Sequence, residues 1–415
     1  MELRERLGAL AERNFRLVFS SVTISALGDG VTTVALAFAV LHISSASALG
    51  LVIAARQASS AAITVAAGVW ADRLPRHLVL VAAASTQAAV QAAAGALIVT
   101  GNARVWMLVA LALAFGLADG FVIPTSQGLI PAVVSATRLQ QANALLGLSR
   151  SVLGVLGPAL GGALVAAGSP GGALLVDAAT FALAALLLRR IAIPSQADRV
   201  QPEPFFHELR EGWNAFRRQT WIWTTIVFFG IGNCASTSLF VLGPLVMKRH
   251  YGGATTWAVL LAAFGVGTII GGVAALHVRP HRPLLASCVA ATPLLAQPLV
   301  LGFRLPTPVL VAVAVVAGTG LAIHLALWFT TFQRNVPKEA LSRVSSYDAL
   351  GSFVLLPLGS AIAAPISTLI GVDATLIGTA AVEAVCFAVI IAQPSVRAIR
   401  DVTPVPGAEA AEQYA

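Results

Sequence analysis

Twelve stretches of about 20 or more mostly apolar residues follow one another along the chain, separated by short turns rich in Gly, Pro, Ser and Arg. A helix needs about 20 such residues to cross a hydrocarbon core, where every backbone N–H and C=O must be bonded within the segment. The runs fall at 15–42, 47–71, 78–100, 105–131, 138–167, 172–190, 220–247, 254–276, 283–304, 307–333, 343–370 and 372–393. Of 415 residues, 57% are hydrophobic and 11% charged, against about 25% charged in ordinary soluble domains. The mean hydropathy is +0.85. An all-α integral membrane protein is predicted. The first run is too long for a signal-peptide core and has no small-residue cleavage site behind it, so it counts as a helix.

The charges orient the bundle. With the N-terminus inside, 20 of the 26 Lys and Arg residues lie on the cytoplasmic side, four lie outside, and two, Arg56 and Arg150, lie within helices. This bias predicts a multi-pass protein of the cell (inner) membrane with both termini cytoplasmic. It also accounts for the net charge of +8, so no nucleic-acid partner is implied. Cys234, Cys288 and Cys386 lie far apart in apolar segments and read as packing residues.

The chain is internally repeated. An offset of 204 aligns "LGDGVTT" around Gly28 with "IGNCAST" around Gly232, Gly68 with Gly272, "GLADGFVIP" from Gly116 with "GLAIHLALW" from Gly320, and "NALLG" ending at Gly147 with "YDALG" ending at Gly351. At 206, "VDAATFA" from Val176 meets "VEAVCFA" from Val382. One shift serving several helices predicts two six-helix bundles of the same topology, related by a pseudo-two-fold axis. The divisions are an N-terminal segment 1–14, a first bundle 15–193, a linker 194–219, a second bundle 220–393 and a disordered cytoplasmic tail 394–415. Within the linker, Phe205, Leu209, Trp213 and Phe216 recur at helical spacing among charges, which predicts an amphipathic helix on the membrane surface. Its "HELRE" lacks a second His, since Glu211 stands there, so no metal is implied.

Between the second and third runs stands "GVWADRLPRH", residues 68–77. As a basic cytoplasmic turn it would explain Arg73 and Arg76 but not Asp72, a carboxylate at the end of an apolar helix. The stretch resembles the motif of the major facilitator superfamily that runs Gly, three residues, Asp, Arg, one residue, Gly, Arg, Arg, with Pro75 and His77 as departures. The resemblance implies the major facilitator fold and a gating latch of Gly68, Asp72, Arg73 and Arg76. Asp348 either joins it or is a solvated helix cap. The second copy, from Gly272, has Leu276 in place of the acid. "GVLGPALGG", with Gly154, Gly157, Pro158, Gly161 and Gly162, resembles the fifth-helix signature of the proton-coupled exporters in this superfamily. Close helix packing by small residues would also account for it. "LGDG" near Gly28, "PTSQGLIP", "LQQANAL" and "VDAATF" are similar to the branch that holds macrolide-efflux proteins and the enterobactin exporter. The resemblance implies proton-coupled export of a small amphipathic molecule, with import or uniport of a small metabolite as the alternative, a monomeric transport unit, and lipid as surroundings.

Asp29, Arg56, Asp119 and Arg150 lie between about 12 and 15 residues from the cytoplasmic ends of their helices, which at about 1.5 Å per residue is near the midplane. Two readings stand. Static ion pairs would lock the first bundle, or one Asp would take up and release a proton with an Arg tuning it. Asp29 is the first candidate, since its repeat partner is Asn233, and Asp119 the second, with Ile323 as partner. Glu383, matched to Asp177, is either structural or a third carrier. Asn233, His324 and Trp328 are candidates for a substrate pocket, although lipid-facing aromatics are commoner. No ATP-cradling Gly-Lys loop is present, because the only lysines follow Met247 and Pro337. No hydrolase constellation appears either, so neither an enzyme nor a cofactor is implied.

Overall fold

A computed structural model describes residues 8–71, 75–135, 138–191, 217, 219–336, 344, 348 and 350–400. Twelve helices are long and apolar enough to cross a membrane. The first half holds α1 (Arg13–Ile43), α2 (Ala46–Ala71), α3 (Arg76–Val99), α4 (Val105–Asp119, resumed as Val122–Val133), α5 (Leu139–Ala166) and α6 (Pro170–Arg189). The second half holds α7 (Thr220–His250), α8 (Ala254–Ala275), α9 (Pro283–Ala291, continued as Ala296–Gly302), α10 (Thr307–Asn335), α11 (Leu356–Ile370) and α12 (Val372–Ala392). A short α13 (Pro394–Ala398) follows. Odd-numbered helices run away from the end that carries the two described termini, and even-numbered helices run back to it.

Three runs are less regular than their hydropathy suggests. The α4 run turns at Gly120 and Phe121 and then continues to Val133. The ninth is interrupted by a 3-10 turn at Thr292–Leu295, where Pro293 and Pro298 each remove a backbone donor. The eleventh is helical at 350–353, turns at Val354 and Leu355 and resumes at Leu356. At the chain's end, Val396 of α13 is buried, so ordered structure continues past the boundary expected at residue 394. The linker helix expected at 205–216 and the tail beyond residue 400 lie outside the described residues.

Close approaches between helices depend on glycine. A Cβ on Gly157 of α5 would lie 2.7 Å from the Cα of Gly30 on α1, so these backbones touch only because neither residue has a side chain. Gly162 in turn faces Ala258 of α8, and Gly265 of α8 faces Gly154 and Val155. The α5–α8 and α2–α11 contacts join the two halves.

The two ends of the bundle differ. Away from the termini, one buried cluster draws on both halves, with Phe38 and Leu41 of α1, Leu49 of α2, Leu242 and Met247 of α7 and Trp257 of α8. There Lys248 donates from Nζ to the Leu41 carbonyl at 2.5 Å, and midway Ser360 donates to Gln57 Oε1 at 2.9 Å. At the terminal end the clusters are separate. One, around Phe15, Leu129 and Leu146, belongs to the first half. The other, around Trp221, Trp328 and Phe332, belongs to the second. Among the described residues, the buried apolar packing of the two halves is shared away from the termini and separate towards them.

Candidate functional site

The midplane charges are assembled by α1, α2 and α4. Arg56 and Ser60 stand one turn apart on α2, and Phe115 and Asp119 one turn apart on α4, so each helix presents its pair on one face. Two glycines bring these faces together. A Cβ on Gly116 would meet the Arg56 carbonyl, and one on Gly120 would lie 2.7 Å from the Ser60 carbonyl. The guanidinium of Arg56 lies over the Phe115 ring, 4.0 Å from its centroid, a cation–π contact. From there Nη2 reaches Asp29 Oδ1 at 3.4 Å. Ser60 donates to Asp119 Oδ2 at 3.2 Å.

The Asp29–Arg56 pair is open. The side chains keep 42% and 31% of their surface, respectively. Arg56 also has the Phe115 ring as a partner, whereas a fully buried ion-pair lock costs about 3–5 kcal/mol to break. Arg150 does not join it. It is exposed on α5 and forms no ion pair among the described residues, so the four charges divide into a pair, a separate hydrogen-bonded acid and a free cation. Arg150 is exposed, whereas its neighbour Ser149 is buried and hydrogen-bonds Thr23 of α1 at 2.8 Å.

The saturated buried node of the first half lies elsewhere. Asp177 of α6 is fully buried and accepts from Thr32 of α1 at 2.6 Å, from Gln91 of α3 and from Thr180 at 3.2 Å. Gln91 also donates to Thr32 at 3.0 Å. Its repeat partner Glu383 is buried on α12, and its Oε2 has no hydrogen-bond partner.

The remaining candidates are placed as follows. Asn233 donates to the Ser352 carbonyl at 3.0 Å and stays partly open. His324 is buried against Ser287, whose hydroxyl lies 2.9 Å from Nδ1, with Phe229 edge-on to its ring. Trp328 is buried against Trp221 and Phe332 and donates to Asp348 at 3.2 Å. His324 and Trp328 thus belong to the packing of the second half, and neither forms an open wall. Asp348 also accepts from Ser352 at 3.4 Å, so its carboxylate is engaged within its own half. Of the latch residues, Gly68 lies in the last turns of α2 and Arg76 opens α3, while Asp72 and Arg73 lie outside the described residues. The signature glycines Gly157 and Gly161 meet α1, while Gly154 and Gly162 lie at the α8 contact. Pro158 is inside α5. Sequence reading missed Phe115 and Ser60. Their spacing of four from Asp119 and Arg56 was the available signal.

The family model of the Major Facilitator Superfamily matches residues 18–360. An uncharacterized MFS-type transporter, y4rN of Sinorhizobium fredii, is 29% identical over 268 residues, covering 62% of this chain and 64% of that protein, so the match spans less than two thirds of that relative. The multidrug efflux pump Tap of Mycobacterium bovis is 27% identical over 388 residues, covering 88% of this chain and 89% of the pump. Among solved structures, the nucleoside transporter NupG has a TM-score of 0.72 at 11% identity, over 92% of this chain and 98% of that one. A bacterial homologue of the iron transporter ferroportin in an inward-facing state has a TM-score of 0.70 at 17% identity, over 92% and 99%. With a family model covering most of its length and twelve apolar helices in two bundles, this chain belongs to the Major Facilitator Superfamily and is a multi-pass membrane transporter.

Proposed function

We propose that this transporter exports a small amphipathic molecule in exchange for protons, with Asp29 as the proton carrier. The carrying observation is the Asp29–Arg56 pair: an ionisable pair at mid-helix, kept partly exposed. A carrier must change protonation without unfolding its surroundings. Here Phe115 supplies the means, because Arg56 keeps its ring contact when Asp29 becomes neutral. Cation–π contacts contribute about 0.5–2 kcal/mol, of the same order as the exposed ion pair itself. Asp119, held by Ser60, is the second carboxyl of the same site, and Arg150 is the cation on the facing helix.

The excess of basic residues on the terminal side supports cytoplasmic termini in the cell membrane, which makes the described state inward-open, the state in which an exporter loads. Similarity to a multidrug efflux pump over nearly its whole length supports export of an amphipathic compound. The stretch from Gly68 through Asp72 and Arg73 to Arg76 then acts as the latch that closes the terminal side. Cells producing the protein should accumulate less of a transported dye or antibiotic, and collapsing the proton gradient should restore accumulation. Uphill uptake of a metabolite by the same cells would establish the importer instead.

A further inference from the structure

Three arginines converge at the terminal end of the second half. Arg282, at the start of α9, and Arg397 and Arg400, in and after α13, line one open cleft of about 510 Å³ with Ala392, Pro394 and Ala398. All three are exposed. None forms an ion pair among the described residues. The described acids of this half are engaged or distant: Asp348 holds Trp328, Asp373 pairs with Arg304 at 2.6 Å at the opposite end, and Glu383 is buried in mid-helix. Arg397 is held in place by donating from Nε to the Ile391 carbonyl at 2.6 Å, which leaves its outer nitrogens available. Arg282 also occupies the N-cap of α9, where the helix dipole adds positive potential to its own. Three converging cations repel one another, and a bound anion relieves that repulsion and accepts their hydrogen bonds.

Above the cleft the surface is apolar. Val289 lies seven residues beyond Arg282 on α9, and Val385 seven residues before Ala392 on α12, so each stands two turns from the cleft on the same helix face. They are 54% and 61% exposed. The α9 and α12 helices pack against each other and against α7 and α10, on the flank away from the first half. A charged cleft at the helix ends with an apolar track rising from it matches a ligand with an anionic head and acyl chains.

We propose that Arg282, Arg397 and Arg400 form a binding site for the phosphate headgroup of an anionic phospholipid in the leaflet on the terminal side, its chains lying along Val289 and Val385. The site is independent of transport direction. Native mass spectrometry of the full-length protein, titrated with phosphatidylglycerol or phosphatidylcholine, tests it. One phosphatidylglycerol should be retained in preference to phosphatidylcholine. Near a membrane surface each basic residue contributes about a five-fold gain in affinity for anionic lipid, so R282Q/R397Q/R400Q should weaken retention about 100-fold, while R304Q at the opposite end should leave it unchanged. Should the triple variant fail to fold, R400Q alone should lower retention about five-fold. V385N should weaken the long-chain lipid and spare any binding of inorganic phosphate. Equal retention of both lipids, unchanged retention in the arginine variants, or displacement of the lipid by millimolar inorganic phosphate would each overturn the proposal, the last by assigning the cleft to a free anion.

Discussion

Asp177 on α6 and Glu383 on α12 occupy matching places in the repeat, yet their carboxylates meet different surroundings. Asp177 accepts from Thr32, Gln91 and Thr180, drawing α1, α3 and α6 onto one buried group. Among the described residues nothing donates to Glu383 Oε2, and Gln297 of α9, the helix that corresponds to α3, likewise has an Nε2 with no partner. Ser238 of α7, near the place of Thr32, bonds Thr379 at 2.6 Å and not the acid. A buried acid whose donors are all committed is scaffold, because changing it strands those donors. One without donors can be replaced at little structural cost, because no hydrogen bond depends on it. Repeat position alone therefore does not assign a role; the hydrogen-bond partners do.

The largest expected effect follows from the saturated side of this comparison. Asp177→Ala should destabilise the protein by about 2–4 kcal/mol, because Thr32 and Gln91 are left as buried donors with only each other. Thermal unfolding in detergent measures it. A loss under about 1 kcal/mol would mean that the node is not what holds α1, α3 and α6 together.

The sequence made some of this legible and hid the rest for physical reasons. Hydropathy runs and the 204-residue offset predict twelve helices in two bundles, because lipid leaves a spanning backbone no other choice. The breaks in α4 and α9 escape a hydropathy reading, since Gly120 and Pro293 are themselves compatible with an apolar run. Depth along a helix brought Asp29, Arg56, Asp119 and Arg150 to one level, but depth carries no azimuth. Ser149 is buried against Thr23 of α1 while its neighbour Arg150 stays exposed, and among the described residues no ion pair joins Arg150 to Asp29. Trp328 and His324 read as pocket residues because they are polar or aromatic on an apolar helix, and only packing against Trp221, Phe229 and Ser287 places them inside the second half. Asp72 and Arg73 of the latch lie outside the described residues.

A steric contrast between the halves gives the next effect. Gly30 and Gly157 touch, whereas their counterparts at the 204 offset, Cys234 and Ala361, both carry side chains. Gly157→Ala should cost about 1–3 kcal/mol by forcing α1 and α5 apart, and Ala361→Gly should cost less. Comparing the two melting temperatures decides whether the glycine signature is a requirement of the first half's packing. Equal shifts would remove the distinction.

Asp29→Asn comes third. Its partner Arg56 keeps Phe115 and solvent, so the stability loss should stay within about 1 kcal/mol, while uphill export stops and energy-independent exchange continues. Both readouts are needed. If the variant melts as early as Asp177→Ala, and a second change at Arg56 restores stability and uphill export together, the pair is a lock and the carrier is Asp119 or Glu383.

The smallest structural effect belongs to Glu383, and it separates the two halves most sharply. Glu383→Gln keeps the shape, and since no group among the described residues donates to Oε2 it removes no hydrogen bond that the carboxyl accepts there. The expected stability change is under about 0.5 kcal/mol. The functional outcome then has two clear branches. If Glu383 is a bystander, uphill export by Glu383→Gln matches the parent at every external pH. If it carries a proton, uphill export is lost although the fold is unchanged, and Asp29→Asn retains part of its coupling. A stability loss comparable to that of Asp177→Ala would instead show that Glu383 is held in the membrane as Asp177 is, and the contrast between the two halves would disappear.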